Sequence, residues 1–290
     1  MHIDLKKIFL PSFIKRHKNK HKEEEETCVL SQIEHRSDKM VIIGNGPSLN
    51  RSIDKYYSEI LACDKMVVNE FGATDLFEKL KPGIYVLADP AYFTLPDDFK
   101  DSVLSLFDKI ASKVTWPMRV IVPLRFKGAK SLDILSRNDH ICFDFYFDRC
   151  RDVGKKTKFE AWDENLIEPP AQTVLNTCLY LSLYWNYKET YLIGADTSFL
   201  ESLRIDQETN DIYIAKSHFY QDEEVYEQNY YEKDKGAKMT GWTLHDLIWA
   251  YGNMFKMYAE LKEYADYKGL KVYNASEYSW INVFERKKVK

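Results

Sequence analysis

Short apolar runs that stop at glycine, asparagine, aspartate or proline recur along this chain, with helix-spaced segments between them. Lys39–Gly44 (KMVIIG), Lys65–Asn69 (KMVVN), Ile84–Ala88 (IYVLA), Arg119–Pro123 (RVIVP), Thr190–Gly194 (TYLIG) and Leu270–Asn274 (LKVYN) have the length and aliphatic content of strands buried on both faces. Leu49–Leu61, Phe99–Val114, Thr173–Tyr184 and Leu244–Lys268 carry apolar residues at helical spacing. Such alternation predicts an α/β fold, a mainly parallel sheet with helices on both faces. Ile141–Phe147 reads as a further strand and Asp148–Pro170 as a loop or small inserted element. Leu200–Gly241, polar and aromatic without a period, reads as a long covering loop in the C-terminal third. Residues 1–38 are expected to form an arm and 39–290 a single domain.

Ligands of open parallel sheets bind beyond the carboxyl ends of the strands. Asn45, Asn69, Asp89, Asp196 and Asn274 all fall there. The first of these ends, Gly44-Asn45-Gly46-Pro47-Ser48-Leu49, stands where a phosphate-binding turn belongs. Its glycines permit close backbone approach, and unpaired amides at the start of the next helix can receive phosphate oxygens. It has neither the third glycine of a dinucleotide fingerprint nor the lysine of an ATPase P-loop, so both are rejected.

The chain has a formal net charge of −4, which gives no global pointer to nucleic acid. Its five cysteines, scattered at Cys28, Cys63, Cys142, Cys150 and Cys178, show no metal-ligand spacing and suit a reducing, cytoplasmic compartment. No D-x-D motif lies beside the first turn, so no metal is expected. No apolar stretch is long enough to cross a membrane, and residues 1–22 do not read as a secretory signal. Lys6, Lys7, Lys15, Arg16, Lys18, Lys20 and Lys22, interspersed with apolar residues, suit either peripheral contact with the inner membrane face or a solvated arm. The basic set Arg149, Arg151, Lys155, Lys156 and Lys158 reads as a solvated run or an attractor for anions, and the tail Phe284–Lys290 as solvated. Arg119 and Arg125 are nearer the predicted sheet ends.

Val41-Ile42-Ile43-Gly44-Asn45-Gly46-Pro47-Ser48-Leu49 resembles the opening motif of the family 42 glycosyltransferases, the bacterial sialyltransferases. It is also similar to the related domain of flagellin-glycosylation accessory factors and of an archaeal pterin pyrophosphokinase. Val68-Asn69-Glu70-Phe71, Ala88-Asp89-Pro90 and Tyr187–Asp196 resemble later segments of the family in the same order. The resemblance implies a modified Rossmann-like fold that binds a nucleotide-sugar donor, CMP-linked first of all, with Asn45 and Asn69 facing it and Asp89 standing in for an asparagine. Before the central helix the family's Thr-Ser-Gly becomes Thr173-Val174-Leu175. After Gly194-Ala195-Asp196 come Thr197 and Ser198 in place of two phosphate-binding tyrosines, for which Tyr213 and Tyr220 are the substitutes.

The implied reaction is inverting transfer of a sugar to a hydroxyl of a surface glycan or glycolipid, with a histidine base and no required cofactor. His245, at the start of the last long helix, is the first candidate for that base, because a helix N-terminus favours neutral imidazole. His218, inside the covering loop, is the second. Two other readings stay open: a magnesium-dependent pyrophosphokinase of the same superfamily and a non-catalytic assembly module. The family also implies a homo-oligomer.

Overall fold

The computed structural model describes residues 30–147, 155–167, 169, 171–214, 218–220 and 237–290. Six strands follow one another as β1 (Lys39–Ile43), β2 (Asp64–Val68), β3 (Ile84–Val86), β4 (Met118–Pro123), β5 (Ile141–Tyr146) and β6 (Glu189–Ile193). Three short strands, β7 (Arg204–Ile205), β8 (Ile212–Ile214) and β9 (Ala237–Lys238), form a separate antiparallel sheet. The chain then returns through β10 (Lys271–Asn274) and β11 (Glu285–Arg286). The main sheet has eight strands in the order β11-β10-β6-β1-β2-β3-β4-β5, every neighbouring pair parallel. Strands β2 to β5 add outward on one side of β1, and β6, β10 and β11 on the other. The order therefore reverses between β1 and β6, which creates a crevice beyond their carboxyl ends.

Among the described residues, the helices longer than four residues are α1 (Leu49–Leu61), α2 (Asp75–Leu80), α3 (Asp97–Lys113), α4 (Lys155–Asp163), α5 (Val174–Tyr184) and α6 (Leu244–Lys268), apart from short 3₁₀ turns. Side chains of a strand alternate between faces. In β1, Met40 and Ile42 accordingly pack with α5 and α6, while Val41 and Ile43 pack with α1 and α3. The two apolar cores thus lie on opposite faces of one sheet. Helix α5 is buried from Leu175 to Leu183, as expected of a helix that is apolar all round. Helix α6 buries one stripe, Met254, Met257, Tyr258, Leu261, Tyr264 and Ala265. A Thr243–Asp246 capping box starts it, and Gly269 at φ 69° ends it.

The structure corrects three expectations and decides a fourth, which stood between a loop and a small inserted element. The Asp148–Pro170 segment contains α4, which drives Phe159, Ala161 and Trp162 into the core. Trp162 meets Tyr180 and Tyr264 edge-on at 6.2 and 5.2 Å. The Leu200–Gly241 segment carries the β7–β8–β9 sheet rather than loop alone. The basic tail is docked, with Phe284 and Val289 buried and β11 paired to β10. Residues 30–38, expected in the arm, lie on the domain: Leu30 is buried, Trp185 Nε1 donates to Ser31 O at 3.1 Å, and His35 stacks on Tyr187 at 4.1 Å. The basic cluster of residues 1–22 lies outside the described residues.

Candidate functional site

At the crevice the β1 and β6 loops touch through backbone. Gly44 N donates to Ile193 O at 2.9 Å and Gly46 N to Gly194 O at 2.8 Å. A Cβ at Gly44 would stand 2.5 Å from Gly194 O, and one at Gly46 would stand 2.1 Å from Asp196 Oδ1. Gly194 itself sits at φ 58°. Only residues without a Cβ allow this crossing.

The crossing brings Asp196 to the start of α1. Its carboxylate accepts Ser48 N at 3.0 Å and Ser48 Oγ at 2.8 Å. Burial pushes the Asp196 carboxyl above its usual range, against the opposing pull of Ser48 and Arg51. The expectation that free amides around Ser48 receive a phosphate is therefore corrected. The amides of Gly44, Gly46 and Ser48 are bonded within the protein, and a carboxylate already occupies the positive end of α1. Gly44 and Ser48 form the wall behind the site.

A cavity of about 580 Å³ opens in front of that wall, within the size range of small-molecule sites. Asn45, Gly46, Pro47, Asn69, Asp89, Thr173, Asp196 and His218 line it, so most of the residues singled out in the sequence meet at one place. Thr197 and Arg125 line it too. Tyr213, Tyr220 and His245 are not among the lining residues. Tyr213 sits on β8 opposite Arg204 and Lys238. His245 is exposed on the first turn of α6, so it flanks the fold rather than the cavity. Asn274 is buried and structural, holding Ile281 O at 2.9 Å and Ser276 N at 3.2 Å.

His218 reaches the cavity because its neighbour is tied to the β1 loop. Phe219 N donates to Asn45 O at 3.1 Å, Asn50 Nδ2 donates to Phe219 O at 3.0 Å, and the Phe219 ring packs on Phe71. Tyr220 stacks on the imidazole at 5.1 Å. Its contribution to the site is thus through His218.

Three lining side chains leave a buried oxygen without a hydrogen-bond partner: Asn45 Oδ1, Asn69 Oδ1 and Thr197 Oγ1. Asn45 Nδ2 is held by Val68 O at 3.2 Å. Asn69 and Thr197 have φ of 51° and 48°. Asparagine tolerates that conformation, and here the Tyr85 hydroxyl bonds Asn69 O and Gly72 N. For β-branched Thr197 it is strained, by about 1–3 kcal/mol, and such strain gathers at functional sites. An orphaned buried oxygen likewise costs about 1–3 kcal/mol unless a ligand meets it.

The N-terminus of α5 also opens onto the cavity, through Gln172, Thr173, Val174 and Leu175. Thr173 caps it by accepting Asn176 N at 3.4 Å. Arg125, which follows β4, is the one Lys or Arg among the described residues that line the cavity. The positive end of a helix and a guanidinium therefore lie on the same cavity as the carboxylates of Asp89 and Asp196. Asp89 Oδ1 accepts Ala91 N at 2.8 Å, an Asx turn. Among the described residues no three His, Cys, Asp or Glu side chains group as metal ligands. Lys158 is paired with Glu260 and Arg119 with Asp144, so neither joins the site, and Arg149 and Arg151 lie outside the described residues. Arg125 and Thr197 carried the weakest signals in the sequence. The useful hint for Thr197 was its place directly after Gly194-Ala195-Asp196.

No family model matches this chain, and no curated protein does. Among solved structures the chain is similar to a MAf glycosyltransferase from Magnetospirillum magneticum AMB-1, at 13% identity and a TM-score of 0.49. The match covers 90% of this chain and 35% of that one, so the chain spans about a third of that protein's length. The roles of residues at the site rest on this chain's own geometry.

Proposed function

We propose that the chain is a glycosyltransferase that moves a sugar from a nucleotide donor, CMP-linked by preference and sialic acid among the candidates, to a hydroxyl of a surface glycan or glycolipid. The observation that carries this reading is the single cavity that joins Asn45, Asn69 and Thr197, with their unpartnered oxygens, to His218 and Arg125. Amide oxygens accept from donor hydroxyls or an exocyclic amine. The negatively charged linker belongs near Arg125 and the α5 N-terminus, away from Asp196.

In the reaction His218 takes the proton of the acceptor hydroxyl, whose oxygen attacks the anomeric carbon. The bond from that carbon to the phosphate oxygen breaks as the new bond forms, the configuration inverts, and the phosphate leaves with the electron pair. The cavity walls limit competing water. His218 displaces His245 as the base, because a base must reach the acceptor proton and His245 does not line the cavity.

The test is a thermal-shift series with CMP, CDP, UDP, GDP and ATP, each with and without magnesium. A CMP shift that needs no magnesium is expected. A shift with ATP alone, strictly dependent on magnesium, replaces this reading with pyrophosphoryl transfer. No shift with any nucleotide leaves the assembly module.

A further inference from the structure

The geometry points to a saccharide-binding platform built from Trp280 and Tyr278 beside the cavity, which holds a pyranose ring of the acceptor. Both residues lie on the loop after β10, and both leave a large part of the side chain open to solvent: Tyr278 is 41% and Trp280 37% exposed. Their polar atoms are nonetheless fully engaged. Trp280 Nε1 donates to Glu201 Oε1 at 3.0 Å and lies 2.9 Å from the Tyr278 hydroxyl, which itself donates to Glu201. The two rings are therefore oriented by one carboxylate through their polar edges, while apolar ring surface faces solvent. An aromatic surface fixed in this way suits the C–H face of a sugar, because stacking removes apolar area from water without unpairing any polar group.

The platform is joined to the cavity from both sides. Glu201 belongs to the short 3₁₀ helix Phe199–Ser202. Residues three apart share a face of such a helix, and that pair, Phe199 and Ser202, lines the cavity. Glu201 leaves from another face toward the rings. The loop itself is pinned to the segment after β6 that carries Asp196: Trp280 N donates to Asp196 O at 2.9 Å and Ser279 Oγ to Ala195 O at 2.6 Å. Asn274 anchors the other end of the loop through Ile281 O. A ligand on the rings thus lies one short helix away from the cavity. Beside Tyr278, the exposed pair of Lys55 and Glu277 at 2.6 Å supplies polar groups for hydroxyls.

This assignment rests on the glycosyl-transfer reading for its meaning, but its test needs no donor. Saturation-transfer NMR on the full chain, with methyl β-galactoside, methyl β-glucoside, N-acetylglucosamine and lactose as separate probes, should show transfer to the ring C–H protons of at least one. Trp280→Ala should lose most of that signal, Trp280→Phe should keep part of it, and Glu201→Gln should weaken it by loosening the rings. A thermal melt checks that each variant is folded. In case Trp280→Ala unfolds, Tyr278→Ala serves as the second variant. Saturation of none of the probes, or equal saturation in folded Trp280→Ala, overturns the platform. The nucleotide shift of the wild type, measured on the same sample, separates the failures. A shift without saccharide binding sinks the platform alone, and saccharide binding without a shift sinks the donor site alone.

Discussion

The two late histidines differ in one respect that decides their chemistry. His218 lines the cavity and is held there by the backbone bonds of Phe219, whereas His245 is exposed on α6. If His218 is the base, His218→Ala should lower turnover about 10²- to 10⁴-fold while nucleotide binding persists. His245→Ala should leave turnover close to wild type, and the contrast is read in a steady-state assay with the donor found by thermal shift. Gly46 offers a second test. An alanine methyl there meets Asp196 Oδ1 at 2.1 Å, so Gly46→Ala must displace either the loop or the carboxylate. It should destabilise the protein by about 1–3 kcal/mol in urea denaturation. Asp196 also predicts a pH dependence. Its folded-state carboxyl is raised above the usual 3.8, so between that value and the folded one the native state holds more protons than the unfolded chain. Its contribution to stability is greatest at low pH and declines as pH rises through the window. The stability of the wild type minus that of Asp196→Asn should therefore fall as pH rises from about 4, and a flat difference would rule out a burial-raised Asp196 carboxyl.

Among the elements, α5 and the C-terminal segment carry the packing behind the site. Helix α5 is sheathed by the β-sheet on one side and by α4 and α6 on the other, and its N-terminus forms one wall of the cavity. Leu179 is fully buried within it. Leu179→Ala should cost about 2–5 kcal/mol, read from the urea midpoint. The C-terminal segment closes the β10 edge of the sheet, with Phe284 and Val289 buried. Lys287 pairs with Glu189 at 3.0 Å and lies over the Tyr273 ring at 3.8 Å. Burial alone would raise the Glu189 carboxyl, but its bonds to Tyr191 and Lys287 outweigh this and hold it below its usual range. A chain ending at Val283 should lose about 3–6 kcal/mol, the burial of two large apolar side chains. A truncated chain with unchanged denaturation would mean that this strand adds nothing to the sheet.

At the scale of the molecule, a ligand that binds only the folded state stabilises it by about 2.7 kcal/mol at a hundred times its Kd. The preferred nucleotide should accordingly raise the Tm progressively with concentration, a rise that persists in chelator if no metal bridges the site. Much of this architecture was legible in the linear order of residues. The runs KMVIIG and TYLIG announced buried strands, because strands covered on both faces must be apolar throughout. The order of strands and helices then constrained the site to their carboxyl ends, so Asn45, Asn69, Asp89 and Asp196 could be named in advance. Helix α4 was not legible, since its lysines mask an apolar face that only Trp162 and Phe159 reveal once Tyr180 and Tyr264 are beside them. The docking of the tail was hidden in the same way, because Phe284 and Val289 need β10 and its neighbours as partners. What the sequence by itself determined is local: which segments are strand or helix, and where glycine lets two backbones cross. Only the tertiary structure decided that Asp196 fills the start of α1, that the α5 N-terminus and Arg125 line the cavity, and that His218 rather than His245 lines it. Those outcomes depend on contacts between residues far apart in the sequence, such as Ser48 with Asp196 and Asn45 with Phe219, and no local preference specifies which distant group arrives first at an unpaired amide.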